Sequence, residues 1–449
     1  MKRLALRNML SGGALSAVRL VMGVAKIKLI ALWLGVEGVG HFSLLTQVAV
    51  TGTALVSMSL AIPLINLGRP NIAAEDYRAA GSAAGTVAAV LAINALLITL
   101  VWVIGGSWLL SALGAELRPE ALRWPILLAI LFGAIAGGFW EGMSFLIDRF
   151  DTYVRANILS AVLDAVAIGG AAWAFGIEGA ILALPVAPLT LLIGYVVQIA
   201  PNRVARSVLA AMRPQWAQLR PIFAYCALMV GTISATNIVQ TWLRSQVLTL
   251  SGSAANGYLQ VATALSSYLL SFVMTGFWGH LHARAAAEGD TAGVRSELRK
   301  SIRLGMGISF AGCVAAILLA PFIITLFYAT SFAQATQLLR PYLVGEFAFQ
   351  VFSMIVAYQL TIGRRRRYAV LNAVYIAALA IGGTVLIPQL GSSGYVLAHI
   401  AAASLAGIAG LWVALRHRQL TWEHAGMLAA LWVLIGGLSW LLGGFNFVA

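Results

Sequence analysis

The sequence predicts an all-α polytopic membrane protein, with two parallel six-helix lobes around a central cavity and one extra C-terminal helix. Three observations lead there: the apolar content, the length and spacing of the apolar runs, and the places where basic residues fall. Of 449 residues, 61% are hydrophobic and 10% are charged, and the mean hydropathy is +0.90. A water-soluble fold has no interior large enough for that much apolar surface. Apolar runs of about 20 residues recur from end to end, enough to cross about 30 Å of hydrocarbon at about 1.5 Å per helical residue. They lack the strict alternation of barrel strands.

Reading the apolar runs against the polar breaks places six spans near 8–34, 39–67, 80–112, 121–147, 152–176 and 178–200. Six more follow near 221–250, 254–281, 304–328, 336–362, 367–388 and 393–415, with a thirteenth near 424–443. The expected organisation is an N-terminal lobe at 1–200, an interfacial linker at 201–220, a C-terminal lobe at 221–418, and the extra helix with the C-terminus at 419–449. In the linker, Arg203, Arg206, Arg213 and Arg220 lie along a short amphipathic stretch suited to anionic lipid.

The formal charge is +14, and its location decides its meaning. With the N-terminus cytoplasmic, most of the 29 Lys and Arg residues fall on the cytoplasmic side, including the run Arg364–Arg367, whereas only Arg118, Arg123 and Arg340 fall outside. That bias is a membrane orientation signal, so nucleic acid is discarded as a partner. The opening Met1-Lys2-Arg3 is read as the start of a retained first helix, because Arg19, Lys26 and Lys28 interrupt the apolar stretch that follows. Cys226 and Cys313 fall inside apolar runs, and no disulfide, metal site or cofactor is expected. The chain carries no Walker motif, which argues against direct use of ATP.

The two halves overlay at an offset of about 215 residues. Tyr153, Asn157, Ile168-Gly169-Gly170 and Gly176 recur as Tyr368, Asn372, Ile381-Gly382-Gly383 and Gly391. Lys28 and Arg244 each precede an expected turn glycine, Gly40 and Gly257. Six helices per repeat is an even number, so both repeats enter the membrane in the same orientation, which is a transporter plan.

A charge within hydrocarbon is disfavoured by about 2.5–3.5 kcal/mol and should face a cavity or a partner. The cations are Arg19, Lys26 and Lys28 on the first span and Arg244 on the seventh; the carboxylates are Glu141, Asp164 and Glu346. Ser234, Asn237, Thr241, Arg244 and Ser251 form one polar stripe expected to line the cavity, the plainer reading being bonds to neighbouring helices. Arg19 and Lys26 share a face with Gly12 and Ser16, while Lys28 points nearly the opposite way unless the helix bends at Gly23. A lysine that misses the cavity would snorkel to the interface. Asp164 and Glu346 are candidate coupling groups or structural salt-bridge partners. Glu141 is assigned to a loop network with Asp148, Arg149 and Asp151, and His399 to hydrogen-bonded packing.

The segment from Lys28 through Leu34-Gly35-Val36-Glu37-Gly38-Val39-Gly40 to Gln47 resembles the opening of the Wzx-type oligosaccharide flippases of the MOP exporter superfamily. Arg244 sixteen residues before Gln260, and Phe332 followed by Gly345-Glu346, are similar to later motifs of that family. The chain departs from the pattern with Glu346 for Asp, Leu259 for an aromatic residue, and the additional Lys26 and thirteenth span. The resemblance, nearest the flippases of enterobacterial common antigen lipid III and O-antigen units, implies a MATE-like fold in the bacterial inner membrane. It implies a non-enzymatic flippase that moves an undecaprenyl-diphosphate-linked oligosaccharide from the cytoplasmic to the periplasmic leaflet for surface polysaccharide biosynthesis. A polysaccharide polymerase and a chain-length regulator are the implied partners, besides membrane lipids. Lys28 and Arg244, assisted by Arg19, would bind the diphosphate, with Lys26, Asn237, Gln47 and Gln260 around the substrate and Asp164 and Glu346 coupling transport to an ion gradient. The alternative is an ion-coupled MATE-like exporter of small molecules, for which acidic rather than basic cavity residues are expected. A polymerase or glycosyltransferase would need longer outer loops.

Overall fold

The computed structural model describes residues 2–113, 119–277, 281, 285 and 288–445, and its regular elements there are all helical. Arg118 and Arg284, and the side chains of Gly12 and Ser16, lie outside the described residues. In chain order the α-helices are α1 (Lys2–Ser57), α2 (Ala61–Ala73), α3 (Tyr77–Ala112), α4 (Pro119–Ile135), α5 (Glu141–Leu146), α6 (Phe150–Leu182) and α7 (Val186–Ile199). They continue as α8 (Arg203–Ala210), α9 (Leu219–Met229), α10 (Ala235–Phe277), α11 (Ala292–Phe327), α12 (Ala335–Thr361), α13 (Arg365–Arg416) and α14 (Trp422–Leu441). Single π-helical turns at Ala136–Trp140 and Val230–Ser234 join α4 to α5 and α9 to α10.

Among the described residues, nine helical stretches are long and apolar enough to cross a membrane. The thirteen expected runs are recovered because four pairs of them are joined through one non-helical glycine each: Gly35 in α1, Gly176 in α6, Gly252 in α10 and Gly391 in α13. Gly35 sits at φ 63°, ψ −168° and Gly252 at φ 86°, ψ 169°, a region open essentially to glycine alone. At Gly176 and Gly391 the chain doubles back, since Gly179 lies against the carbonyl of Ala171 and Gly394 against that of Leu386. Eight residues along a straight helix would stand about 12 Å apart. The turn glycines pair at separations of 217 and 215 residues, so the internal repeat extends to backbone geometry.

This corrects the expectation for Gly40 and Gly257. The turns fall five residues earlier, at Gly35 and Gly252, and the later glycines permit a close approach instead. A Cβ on Gly40 would collide with the carbonyl of Ser253, and one on Gly257 with the carbonyl of Val36. Asn256 Nδ2 donates to the Gly40 carbonyl at 2.7 Å across the same contact. Glycine suits a turn and a tight helix contact for different reasons, and spacing alone does not separate them.

The chain divides into two compact units: Met1–Leu34 with Phe42–Thr241, and Gly35–His41 with Trp242–Ala449. In the first, α3 packs on α2, α4 and α8, and α6 packs on α7. One side of α3 stays open, with Leu96, Leu100, Ile104 and Trp108 exposed, as expected of a wall facing lipid. The segment after α7 is held to α3 by Gly81 and Gly85, which lie against Ala211 and Arg213, and by the Gln215 amide donating to Thr86 Oγ1 at 2.9 Å. Its four arginines remain exposed.

In the second unit α12 is central, packed by α11, α13 and α14. Of its most apolar stretch 83% is buried, against 28% for α3, which makes α12 the helix on which polar side chains are withdrawn from lipid. The extra helix α14 packs on α11 and α12, with Trp432 Nε1 donating to the Val344 carbonyl at 3.2 Å. Arg340 donates to the Leu442 carbonyl just past the end of α14, where a cation complements the helix dipole. Helix α11 begins at Ala292 rather than near 304, with Thr291 as N-cap. Hydropathy marks where a helix enters lipid, and this one starts about three turns earlier in polar surroundings.

Ahead of α11, Asp290 accepts from Arg295 Nε at 2.8 Å, from Tyr358 OH at 2.7 Å and from Gln419 Nε2 at 3.3 Å. Burial opposes ionisation of Asp290, but these hydrogen bonds outweigh it and hold the carboxyl below its ordinary range. Its folded pKa is therefore depressed, so the stabilisation is present above the unfolded value of about 4 and is lost as pH falls through the folded value. Asp290→Asn should lower stability at pH 7 by about 2 kcal/mol and flatten the acid side of the thermal-melt profile; an unchanged profile would remove the network from the stability balance. Gly257→Val, which drives a side chain into the Val36 carbonyl, should destabilise by about 1–3 kcal/mol. Gly231→Val serves as control, since a Cβ there meets nothing within 4 Å, and equal melts for the two variants would contradict the close-approach reading.

Candidate functional site

In the first unit two polar rungs join α1 to α6. Arg19 donates to Asn157 Oδ1, and Lys26 Nζ pairs with Asp164 Oδ2 at 2.6 Å. Both rungs connect residues 138 apart. The helices therefore run in the same direction here, with the rungs two turns, about 10 Å, apart. The heptad spacing that puts Arg19 and Lys26 on one face is matched by the same spacing of Asn157 and Asp164. Lys26 and Asp164 are 22% and 17% exposed, too buried for the lysine to be snorkelling to an interface. Lys28 is half-buried and, two residues on, faces another direction.

Asn157 is itself fixed, donating through Nδ2 to Tyr195 OH at 3.0 Å and to the Tyr153 carbonyl at 2.8 Å. Glu141 stands within electrostatic reach of Arg19 and of Tyr195. Its expected loop network forms without it: Arg149 pairs with Asp151 at 3.1 Å and Arg69 with Asp148 at 3.6 Å. The π-helical turn Ala136–Trp140 ends at Glu141 and shifts its register relative to a regular helix, which sequence periodicity cannot anticipate. Tyr195 was not singled out from sequence either, because a lone Tyr in an apolar run looks like packing. Elsewhere in this unit Thr51 Oγ1 donates to the Gln47 carbonyl at 2.8 Å and meets Thr241 Oγ1 at 2.7 Å. The Asn237 carbonyl accepts from Thr241 at 2.8 Å. Gln47 and Asn237 thus meet around Thr51 through their backbones, and both side chains are half-buried.

In the second unit Arg244 is 7% exposed. Its guanidinium donates to Gln260 Oε1, and to Thr263 Oγ1 at 2.6 Å. Among the described residues, no carboxylate lies within salt-bridge distance of it. Buried guanidinium groups are ordinarily paired with an anion, whereas Gln260 and Thr263 meet this one as neutral acceptors. Planar, permanently charged and with donors on several edges, it suits phosphate oxygens.

Glu346, 4% exposed on the central helix, faces His399 Nε2 at 3.5 Å. His399 stacks on Tyr342 with centroids 4.4 Å apart and meets Tyr375 OH through Nδ1 at 3.3 Å. One helical turn on, Gln350 accepts from Ser309 Oγ. His399 is buried and engaged by its stacking and its hydrogen bond, in line with the hydrogen-bonded packing expected of it, and the Glu346 carboxyl lies against it.

No protein-family profile matches the sequence, and no curated protein does. Solved structures do match. An inward-facing multidrug resistance MATE family transporter of the MOP superfamily aligns with TM-score 0.74 at 17% identity, over 93% of this chain and 98% of that one. The chain shares the fold of that structure. The lipid II flippase MurJ, in an inward closed conformation, aligns with TM-score 0.69 at 12% identity over 97% of each chain. A MOP superfamily transporter from Pyrococcus furiosus Vc1, described by the reverse polarity of its binding pocket, aligns with TM-score 0.68 at 16% identity over 95% of this chain and 96% of that one. At these identities the likeness concerns architecture, a multi-pass membrane fold shared by transporters and flippases.

The α1–α6 rungs make a quantitative expectation. Lys26→Ala and Asp164→Asn should each destabilise by about 2–3 kcal/mol, because each leaves a partly buried polar group unpaired. The double variant should cost clearly less than the sum of the two. Thermal unfolding in one detergent measures the cycle, and strict additivity would mean that the pair is not coupled.

Proposed function

We propose that the protein is a flippase carrying an undecaprenyl-diphosphate-linked oligosaccharide from the cytoplasmic to the periplasmic leaflet for surface polysaccharide assembly, with no bond made or broken. The observation that carries this reading is Arg244: a buried guanidinium with neutral hydrogen-bond partners is suited to an anionic head group and ill suited to a cationic drug. Gln260 and Thr263 orient its donors. Lys28 stands 216 residues earlier, at the corresponding position of the first repeat, and serves the same class of anion in its own unit. Arg19 and Lys26 take a smaller part, since Asn157 and Asp164 already engage them. Asp164 acts mainly as counter-ion, and Glu346 with His399 is the better candidate for coupling to a proton or cation gradient. The fold is shared with multidrug transporters, so the rival reading is an exporter of small amphipathic molecules.

In a strain lacking the native flippase, the wild-type chain should restore surface glycan. Arg244→Ala should reduce export at least about tenfold with normal membrane insertion, and lipid-linked glycan should accumulate on the cytoplasmic leaflet. Arg244→Lys should retain part of the activity. Export unchanged in Arg244→Ala removes that residue from the site. Drug resistance conferred without any effect on glycan export favours the rival.

A further inference from the structure

The second unit carries a groove outside all the residues discussed for transport. Its volume is about 830 Å³, and it lies between the start of α11 and the start of α14. At its polar end α11 presents Arg299, Lys300 and Arg303, and the same helical face continues into Leu304, Gly307, Ile308 and Ala311. These positions recur at three- and four-residue spacing, so one straight stripe changes from cationic to apolar along the helix. The opposite wall is the first turn of α14, with Thr421, Glu423 and His424.

Each group at the polar end has a definable task. Arg299 donates to the carbonyls of Gln419 at 3.0 Å and Arg418 at 2.7 Å; it fixes the turn that holds α14 in place and is spent as a wall residue. Lys300 makes no side-chain bond among the described residues, and Arg303 reaches Glu423 only at 4.0 Å. Glu423 is 85% exposed, so its carboxylate lies mostly in solvent rather than neutralising the groove. Thr421 Oγ1 meets His424 Nδ1 at 2.7 Å, which fixes the buried imidazole at the start of α14. The start of α14 adds the positive end of a helix dipole. Trp422 beside it is 79% exposed, as befits an aromatic at the level of lipid head groups.

We propose that this groove is a binding site for one anionic phospholipid of the bilayer, its phosphate on Lys300 and Arg303 and one acyl chain along the Leu304–Ala311 stripe. The change from cationic to apolar along the stripe selects this occupant. A free phosphate would use only the polar end, and a zwitterionic lipid would bring its own cation to two exposed basic side chains. A Cβ at Gly307 meets nothing within 4 Å, so the apolar half has open room for a chain at that position. The site gives the otherwise unmatched thirteenth span a task, because α14 forms one wall of the groove.

Native mass spectrometry of the detergent-purified full chain, titrated with phosphatidylglycerol or phosphatidylcholine, tests the proposal. Phosphatidylglycerol should bind at least about tenfold tighter than phosphatidylcholine. The double substitution Lys300→Gln with Arg303→Gln should remove most of that preference. Gly307→Leu, whose Cβ meets nothing within 4 Å and whose side chain extends into the chain slot, should weaken both lipids about tenfold while keeping the wild-type melting temperature. Inorganic phosphate at millimolar concentration should neither displace the lipid nor raise the melting temperature. Equal affinity for the two lipids, or indifference to both substitutions, overturns the proposal. Displacement by phosphate alone reduces the groove to an ion site, and displacement by a prenyl diphosphate below the phosphatidylglycerol concentration reassigns it to the transported substrate; either result also overturns it. Glycan export is not part of this test, so failure here leaves the flippase reading where it stands.

Discussion

Hydrocarbon offers nothing to a charged side chain, so every ionisable group placed within a span must be answered by protein, by water or by a ligand. That requirement organises this molecule. On α1 and α6 it is met internally, as Arg19 and Lys26 find Asn157 and Asp164 on a parallel helix at the same seven-residue interval. On α10 it is met by dipoles, because Arg244 rests on Gln260 and Thr263 with no carboxylate within salt-bridge distance among the described residues. The contrast separates cations that complete the fold from one that is left with a positive charge to offer.

Such an arrangement has a physical cost that neutral partners only partly offset. Its persistence in a buried position makes sense if a mobile anion completes it during part of a cycle. Glu346 lies in the same unit on α12, the most buried of the membrane-crossing stretches among the described residues, and faces His399 of α13. The Arg244 and Glu346–His399 clusters share surroundings, since Tyr342 and Tyr395 sit within the field of both Arg244 and Glu346.

The backbone supplies the second constraint. Four glycines in conformations closed to other residues divide long helices into separate passes, and they recur at the repeat interval. Two further glycines, Gly40 and Gly257, allow backbone segments of the two repeats to touch reciprocally within one unit. Duplicated geometry of this kind, rather than duplicated side chains, is what the repeat retains, which explains why only sparse matches survive between the halves.

The sequence by itself determined the membrane class, the thirteen passes, the repeat and the roster of intramembrane charges, because each follows from composition or from one-dimensional spacing. Hydropathy is a local property, and the solvent imposes it residue by residue. What it did not determine is which charges meet. The partnership of Lys26 with Asp164, the release of Glu141 from its loop by a π-helical turn, the placement of His399 beside Glu346, and the exchange of duties between Gly35 and Gly40 all depend on contacts between residues far apart in the chain. Those were settled by helix packing in three dimensions, since a side chain's charge is written in the sequence whereas its counter-ion is chosen by the neighbouring helix.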